Sequence, residues 1–425
     1  MFIVRKINNI MSTHHQVLII GGGTAGIMVA AQMFKKDKTL DIGIIEPSST
    51  HYYQPAWTLV GAGTFNYEKS VKPMYSIIPK GVNWIKDYAS GFHPESNTIT
   101  TKSSGDITYD YLVVAPGIAY DLSLVPGLEE AWDKGVVCSN YTNSKHTWDV
   151  VKNFKGGTAL FTQPTTPIKC GGAPQKALYM SESYFQKSGV RNKTNVVFAT
   201  NGGVIFGVQP IAETLLKVNK RKDINLRFGH QLVKVDGEKQ IAWYAIGDNV
   251  SEINHKDVQV SKNGDLVGIH FDMLHTAPPS IAPKFLQGSG LLNKEGWVDV
   301  HINSLQHNIY PNIFSLGDVA ALPTAKTGAA VRKQAPIVIE NILHLINNEA
   351  ASNTSYNGYS SCPLVTGYGK MILAEFDYQN NFTPDPKLKQ MLIKDSSKEH
   401  WRLWMLKKYM LPYLYWQKMM KGENV

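Results

Sequence analysis

The feature that most constrains this chain is a glycine-rich segment near its start, QVLIIGGGTAGIMVA, at residues 16–30. An unbroken apolar run typical of a buried strand meets a glycine turn, and a helix-forming segment follows. Gly21, Gly23 and Gly26 stand in the G-x-G-x-x-G order. Such glycines permit a tight turn, the approach of a pyrophosphate and close packing of the helix on the strand. The sequence therefore predicts a strand–turn–helix unit that binds a dinucleotide.

An acidic residue follows at the spacing that this unit requires. A second apolar strand, DIGIIE, ends in Glu46, about twenty residues past Gly26. A carboxylate there accepts hydrogen bonds from the ribose hydroxyls, while the free N–H groups at the helix N-terminus point at the phosphates. We expect Glu46 to bind the cofactor together with the glycines.

A segment far downstream indicates which dinucleotide is bound. In IYPNIFSLGDVAALPTAKTGAAVRKQAP an apolar strand ends at Asp318, and a helix follows. We expect Asp318 to bond the ribityl and pyrophosphate chain, and the helix N-terminus to lie near the isoalloxazine. This segment resembles the second FAD signature of the disulfide-reductase-like flavoproteins, which have two dinucleotide domains. The helical turn predicted beside the flavin consists of Gly328, Ala329, Ala330 and Val331.

Two further segments bear on the cofactor. YDYLVVAPG, at residues 109–117, resembles the strand and turn that close the FAD domain in that superfamily, with Pro116 where many members have threonine. The inserted part of the chain carries no second G-x-G-x-x-G: its first strand, starting at Gly157, leads into a cysteine and two glycines instead. We infer that electrons do not arrive from NAD(P)H.

These elements predict an α/β fold of several domains, as the length of 425 residues also favours. The expected arrangement is two Rossmann-like domains and a C-terminal membrane-associating helical region. Residues 14–120 and 298–345 are predicted to form a discontinuous FAD domain, and residues 121–297 the second domain. Residues 346–425 are predicted to carry a redox cysteine and an amphipathic tail.

The three cysteines, Cys138, Cys170 and Cys362, lack the spacing of a zinc site, and no metal site is predicted. Cys170 precedes two glycines and a helix expected to start at Ala173 or Pro174. A helix N-terminus with Lys169 and Lys176 nearby should lower the pKa of the thiol. From spacing alone, a reactive thiol and a buried small apolar residue are equally good interpretations of Cys170.

Four segments resemble the sulfide:quinone oxidoreductases, specifically the branch that contains the mitochondrial enzyme. They are TPIKCGGAPQK, YSSCPLVTGYGKMILAEFDY, HYYQPAWTLVGAG and LPYLYWQKMMKG. The resemblance implies that Cys170 and Cys362 are the redox pair. Cys138 matches no motif, and we expect it to be structural. The resemblance also implies FAD contacts at positions spread along the chain: Gly22, Gly23, Glu46, Gln54, the backbone of Ala89, Asp318, Gly328, Ala329, Ala330 and Val331. Gly21 and Gly26, from the glycine motif, complete the predicted cofactor site.

The family implies a sequence of thiol steps. Hydrosulfide attacks the Cys170–Cys362 bridge, leaving a persulfide on Cys362 and a thiolate on Cys170 that faces the flavin. Two electrons pass through FAD to quinone when the sulfur is handed to glutathione, sulfite, coenzyme A or sulfide and the bridge reforms. Lys326 is a candidate for stabilising negative charge on the flavin, with a solvated surface lysine as the alternative.

The C-terminal segment HWRLWMLKKYMLPYLYWQKMMKGENV mixes aromatic and apolar residues with lysines. This composition suits a membrane surface, with Pro412 dividing two short helices; packing on the body or on a partner subunit is the alternative. The net charge of +9 permits an anionic partner, but no nucleic-acid motif accompanies it. We expect a monotopic membrane protein and leave open a homo-oligomer. The leader, MFIVRKINNIMST, lacks a transit-peptide pattern, which favours a bacterial membrane over the mitochondrial inner membrane.

Three other functions compete with this interpretation. A type II NADH:quinone dehydrogenase would share the layout but needs the absent second fingerprint. A flavocytochrome-type sulfide dehydrogenase would share the sulfide chemistry and pass electrons to a haem subunit. A flavin-bound interaction module without turnover would lack the nucleophiles, whereas both cysteines are present.

Overall fold

The computed structural model describes residues 13–253, 258–350 and 354–424, except for the side chains of residues 13, 249 and 253. The leader discussed above lies outside the described residues up to position 12.

The strands alternate with helices through most of the chain. In chain order they are β1 Thr13–Ile20, β2 Ile42–Ile45, β3 Thr50–Tyr52, β4 Val71–Pro73, β5 Asn83–Ile85, β6 Ala89–His93, β7 Thr98–Thr101, β8 Asp106–Val114, β9 Ala119–Tyr120, β10 Val137–Cys138, β11 Gly157–Thr162, β12 Thr194–Thr200, β13 Asn225–Asp236, β14 Ile241–Ile253, β15 Val260–Asn263, β16 Leu266–His270, β17 Met273–Thr276, β18 Ser280–Ile281, β19 Ile313–Ser315, β20 Ser360–Gly367 and β21 Lys370–Phe376.

The α-helices range from single turns to five turns. They are α1 Thr24–Lys36, α2 Trp57–Val60, α3 Leu128–Ala131, α4 Ser144–Asn153, α5 Ala173–Ser188, α6 Gln209–Arg221, α7 Gly328–Ile346, α8 Trp401–Met405 and α9 Leu411–Gln417. The start of α5 at Ala173 confirms the position predicted from the proline in its first turn.

The first sheet has the order β5-β2-β1-β8-β7-β6, and β19 pairs with the end of β8. The parallel strands of this sheet are β1, β2, β5, β8 and β19. The parts of β1 and β2 that are covered on both faces of the sheet consist of apolar residues, as is usual for buried parallel strands. One face packs on α1 and α7, whose apolar residues form a core with Val17, Ile19 and Phe314. The glycine loop and the turn before α7 therefore follow the carboxyl ends of β1 and β19, which both pair in parallel with β8.

The second sheet has the order β10-β17-β11-β12-β13-β14-β16-β15. Its first five strands pair in parallel with α5 and α6 as crossovers, and its last three pair antiparallel. The two-stranded pair of β9 with β18 flanks the points at which the chain passes between the sheets. The predicted α/β class is confirmed. The predicted domain boundaries are compatible with these two sheets and remain a prediction.

The C-terminal region differs from the helical region expected. It begins with the antiparallel hairpin β20–β21, in which Cys362 pairs with Ala374. The helix that follows is continuous from Trp401 to Gln417, because a π-helical turn over Leu406–Met410 joins α8 to α9. Pro412 therefore does not divide two helices: it lies inside this continuous helix, directly after the π-helical turn, where the N–H of Leu411 bonds to Leu406 and the regular i→i−4 pattern is already interrupted.

No helix among the described residues is long and apolar enough to cross a membrane.

Candidate active site

The glycine loop between β1 and α1 leaves space at one of its three motif glycines. A Cβ on Gly21, whose φ is +100°, would lie 2.6 Å from the carbonyl oxygen of Ala115, and one on Gly26 would lie 1.9 Å from that of Gly21. A Cβ on Gly23 would meet nothing within 4 Å, and this N-cap residue supplies no side-chain bond to the helix. The open position beside free N–H groups fits a pyrophosphate.

Glu46 lies against this loop. Its carboxylate accepts hydrogen bonds from the N–H groups of Gly22, at 2.7 Å, and Ser48, also at 2.7 Å. Burial raises the pKa of Glu46 above its usual value, although both bonds oppose that shift. The side chain thus stands beside the turn where a ribose is expected, and its ribose contact stays a prediction.

The turn before α7 forms a crevice lined by two of the predicted flavin-binding residues, Lys326 and Ala330. Lys326 does not extend into solvent: its Nζ donates to the carbonyl oxygens of Asp318, at 2.6 Å, and Ala320, at 3.3 Å. The same atom lies 4.0 Å from the centre of the Trp297 ring. Burial lowers the pKa of Lys326 to about 8. The crevice residues include Gly317, Lys326, Thr327, Ala330 and Gln334.

The cysteine loop touches this turn directly. The N–H group of Cys170 donates to the carbonyl oxygen of Lys326 at 2.9 Å, and Lys169 forms a parallel bridge with Lys326. Cys170 has a φ of +51°, which is unusual for a residue with a side chain and is a form of strain found at functional sites. The predicted flavin turn and the predicted nucleophile are thus in backbone contact.

Cys170 and Cys362 come together although 192 residues separate them. Their sulfur atoms lie 3.0 Å apart. Cys362 is buried on β20 and faces the first turn of α5, where Gly172 leaves room for it. A Cβ on Gly172 would lie 2.8 Å from the Cys362 sulfur and 2.4 Å from Cδ2 of Leu364. Cys138 is fully buried at the end of β10, an edge strand of the second sheet, as its structural interpretation requires.

A buried lysine gives the two sulfurs different proton affinities. Lys176 Nζ lies 2.9 Å from the sulfur of Cys170 and 3.7 Å from that of Cys362. The hydrogen bond from Cys362, followed by the charge of Lys176, holds the pKa of Cys170 well below its ordinary value despite burial. The hydrogen bond with Cys170 and burial hold the pKa of Cys362 well above it. Both shifts, and the shorter distance from Lys176 to Cys170, favour Cys170 over Cys362 as the thiolate of the reduced pair.

A second buried lysine lies at the cysteine pair and was not foreseen. Lys407, on the π-helical turn, donates to the carbonyl oxygen of Pro55 at 2.8 Å and interacts electrostatically with both cysteines. Burial, and then the charge of Lys176, lower the pKa of Lys407 to about 7. Lys169, which was also expected to lower the pKa of Cys170, donates its Nζ to Oε1 of Gln54 at 2.8 Å, and the cations that lower this pKa are Lys176 and Lys407.

The two remaining residues predicted to contact FAD, Gln54 and Ala89, lie in different parts of the structure. Gln54, in a short 3-10 turn, is joined to the cysteine loop through Lys169. Ala89 begins β6 and packs in a core that also contains Ile20 and Ile45, at the ends of β1 and β2. The predicted residues thus surround the glycine loop and the turn before α7, and their contacts with FAD stay predictions.

Comparison with known proteins agrees with this geometry. Residues 15–155 match the pyridine nucleotide-disulphide oxidoreductase family. The mitochondrial sulfide:quinone oxidoreductase of Mus musculus is 41% identical over 96% of this chain and 87% of its own length. That of Dictyostelium discoideum is 40% identical over 99% of this chain and 88% of its own. This chain belongs to the sulfide:quinone oxidoreductase family.

The family predicted from the cysteine motifs is therefore confirmed, and the chain is an oxidoreductase. Among solved structures, the sulfide:quinone oxidoreductase of Aquifex aeolicus superposes with a TM-score of 0.74 at 19% identity, covering 97% of this chain and 92% of that one. At that identity the likeness shows a shared sulfide:quinone oxidoreductase fold.

Proposed function

We propose that this protein oxidises sulfide at the Cys170–Cys362 pair and passes two electrons through FAD to a quinone. The observation that carries the proposal is the contact between the two predicted centres. Cys170 pairs with Cys362 through its sulfur and bonds Lys326, in the predicted flavin turn, through its backbone. Family membership supports the same reaction, since the relatives are named for it.

The first step is thiol exchange on the oxidised pair. Hydrosulfide attacks the sulfur of Cys362, the S–S bond breaks, and Cys170 leaves as a thiolate while Cys362 carries the persulfide. The lowered pKa of Cys170 supports this direction, because the thiol of lower pKa is the better leaving group. Lys176 stabilises the departing charge from 2.9 Å.

The second step returns the pair to its starting state. A nucleophilic acceptor removes the outer sulfur of the persulfide, which leaves both cysteine sulfurs reduced. Reformation of the S–S bond then releases two electrons, for which bound FAD supplies a two-electron acceptor that quinone reoxidises. Gly171, beside the pair, has open space around it. The acceptor is a small sulfur nucleophile such as glutathione, sulfite, coenzyme A or sulfide.

The residues present fit FAD on structural grounds. The open position at Gly23, the carboxylate of Glu46 and the crevice at Lys326 lie at the carboxyl ends of parallel strands of one sheet. In open α/β sheets this edge is where dinucleotides bind. Gly21, Gly22, Gly23, Gly26 and Glu46 would hold the adenosine and pyrophosphate portion. Asp318, Lys326 and the first turn of α7 would hold the flavin portion.

The reaction is tested by adding sulfide anaerobically to the FAD-loaded protein while the flavin absorbance is followed. Sulfide should bleach the flavin and a quinone analogue should restore it. Cys170→Ala should abolish bleaching, whereas Cys138→Ala, which removes the sulfur outside the pair, should not. Bleaching by NADH alone would assign the protein to the NADH dehydrogenases, and bleaching of Cys170→Ala by sulfide would refute the thiol mechanism.

The C-terminal helix supports an attachment to a lipid surface. Its outer face carries apolar and aromatic side chains at helical spacing, between 44% and 57% exposed; we call this set the outer stripe: Trp401, Met405, Tyr409, Met410 and Tyr413. Such a stripe can enter the boundary of a bilayer while neighbouring lysines meet anionic head groups. A groove of about 340 Å³ opens beside Tyr409 and Tyr413 and is also lined by Phe65 and Trp416. We propose it as the path for a membrane quinone.

The outer stripe is testable without disturbing the fold. Deleting the whole segment would remove Trp416, Met419 and Met420 from the core, so surface substitutions are preferable. The combined variant Trp401→Ser, Tyr409→Ser and Tyr413→Ser should lose most sedimentation with vesicles of mixed neutral and anionic lipids. The control replaces two tyrosines exposed elsewhere, Tyr75→Ser and Tyr88→Ser. Equal sedimentation of both variants would refute the attachment.

We propose a peripheral membrane location for this protein. Three relatives named as mitochondrial enzymes support the inner mitochondrial membrane if the source is eukaryotic. In a bacterial source the corresponding surface is the cytoplasmic membrane.

A further inference from the structure

A chain of buried hydrogen bonds joins the C-terminal helix to the glycine loop. The hydroxyl oxygen of Tyr415, on α9, lies 2.7 Å from Oγ1 of Thr24 and 2.6 Å from Nε2 of His51. Nδ1 of His51 lies 3.1 Å from the carbonyl oxygen of Gly22. Both His51 and Tyr415 are at least 95% buried. One network thus connects residues that stand 391 positions apart.

The chemistry of these groups fixes the direction of each bond. The carbonyl of Gly22 can only accept, so Nδ1 of His51 donates its proton there. Burial lowers the pKa of His51 to about 4, so the ring is neutral near pH 7 and Nε2 accepts from Tyr415. The phenol oxygen is then free to accept the hydroxyl proton of Thr24. All three bonds are satisfied in a single arrangement.

This arrangement holds the loop on both sides of its open position. Gly22 donates its N–H to Glu46 and accepts from His51, so both of its backbone polar groups have partners. Thr24, the first residue of α1, is held through its hydroxyl by Tyr415. Gly23, where a phosphate fits, lies between these two anchored residues.

The side chains packed around Tyr415, and the residues that follow it, hold this part of the chain in a defined position against α1. The ring of Tyr415 lies 4.5 Å from that of Tyr53, measured between centroids. Trp416 and Met420 are buried in the same core as α1. A Cβ on Gly422 would lie 2.6 Å from the carbonyl oxygen of Ala31, so the end of the segment also lies tightly against α1.

We propose that Tyr415 and His51 are positioning residues of the cofactor loop, so that FAD binding and docking of residues 411–424 stabilise each other. Neither residue needs to touch the reacting atoms. The inference rests on the proposed FAD site. Because linkage is reciprocal, any factor by which the docked segment tightens FAD binding is the factor by which FAD favours the docked segment.

The first test measures FAD release from the loaded protein on dilution, by the fluorescence of free flavin. Tyr415→Phe removes two buried hydrogen bonds and leaves His51 and Thr24 unpaired, so FAD should be bound about tenfold more weakly. Tyr413→Phe, an exposed position on the same helix, should match the unsubstituted protein. Thr24→Val removes one bond and should weaken binding by about threefold.

The second test follows amide hydrogen exchange in α9, which a purely structural tyrosine would not link to the cofactor. Excess FAD should slow exchange there in the unsubstituted protein and in Tyr413→Phe, and by a smaller factor in Tyr415→Phe. If Tyr415→Phe does not fold, the linkage is tested by whether FAD slows amide exchange in α9 of the unsubstituted protein. Equal FAD release from the two tyrosine variants, or exchange in α9 that ignores FAD, would overturn the linkage. Failure of the unsubstituted protein to bind FAD would instead refute the proposed function.

Discussion

Replacing Lys176 by methionine should raise the pKa of Cys170, because it removes the nearest positive charge without leaving a large cavity. Lys176 is 4% exposed, and its Nζ lies 2.9 Å from the Cys170 sulfur. The lysine itself is kept protonated there: burial alone would lower its pKa, but the charges of Cys170 and Cys362 outweigh burial and raise it. The variant therefore removes a charge that is present at neutral pH.

The size of the effect follows from the kind of bond that is lost. A hydrogen bond to a charged group contributes about 1.5–3 kcal/mol. Since one pKa unit corresponds to about 1.4 kcal/mol, the pKa of Cys170 should rise by about one to two units. Lys407 remains as a second cation near the pair, which places the expected rise toward the lower end. The poorer leaving group should also slow sulfide-dependent flavin reduction.

The assay is alkylation of the anaerobically reduced protein across a pH series, with the modified cysteine identified by mass spectrometry. The midpoint for Cys170 should move upward in Lys176→Met. Lys187→Met is the matched control, since it makes the same change at an exposed position on α5. An unchanged midpoint in Lys176→Met, or an equal movement in Lys187→Met, would refute the assignment of Lys176 as the stabilising charge.

Two further predictions follow from the same site. Gly172→Ala places a Cβ 2.8 Å from the Cys362 sulfur, so it should cost about 1–3 kcal/mol of unfolding free energy and slow sulfide-dependent flavin reduction. Gly171→Ala, where a Cβ meets open space, should have neither effect. Similar flavin kinetics in the two variants would contradict the close contact at Gly172. Lys407 has a folded pKa of about 7, below the ordinary 10.5, so its burial as a cation costs stability below pH 7 and this cost disappears as the pH rises toward 10.5. Lys407→Met should therefore raise the denaturation midpoint more at about pH 6 than at about pH 10, unlike Lys408→Met; an equal gain at both pH values would contradict the buried charge.

Local sequence signals were sufficient where a function depends on one short segment. The strand–glycine–helix pattern at Gly21 to Gly26 predicts its own structure, because Gly21 and Gly26 each meet a local steric demand and Gly23 leaves open space beside the helix N-terminus. The start of α5 beside Cys170 is likewise fixed by the proline in its first turn. The partnership of Cys170 with Cys362 is different: it came from family motifs, since nothing local to either cysteine specifies a partner 192 residues away.

Contacts of the C-terminal helix could not be predicted in that way. Lys407 and Tyr415 occur in a segment whose composition favours an interface, and no periodic signal distinguishes a buried lysine from an exposed one. The π-helical turn at Leu406–Met410 changes which side chains face the body, and Lys407 within it points inward, where it interacts with Lys176 and the cysteine pair. Pro412 misled the prediction for a related reason, because the π-helical turn directly before it already departs from the i→i−4 bonding that a proline disrupts, and the helix continues through it.

The two sides of the C-terminal helix therefore serve different functions that can be tested separately. The buried side brings Lys407 to the cysteine pair and Tyr415 to the cofactor loop, while the outer stripe contacts neither. Substitutions in the outer stripe should leave FAD release and the pKa of Cys170 unchanged while reducing attachment to vesicles. Substitutions on the buried side should do the reverse. If outer-stripe variants also released FAD faster, the two sides would be coupled through the helix, and attachment to a surface would itself tighten the cofactor site.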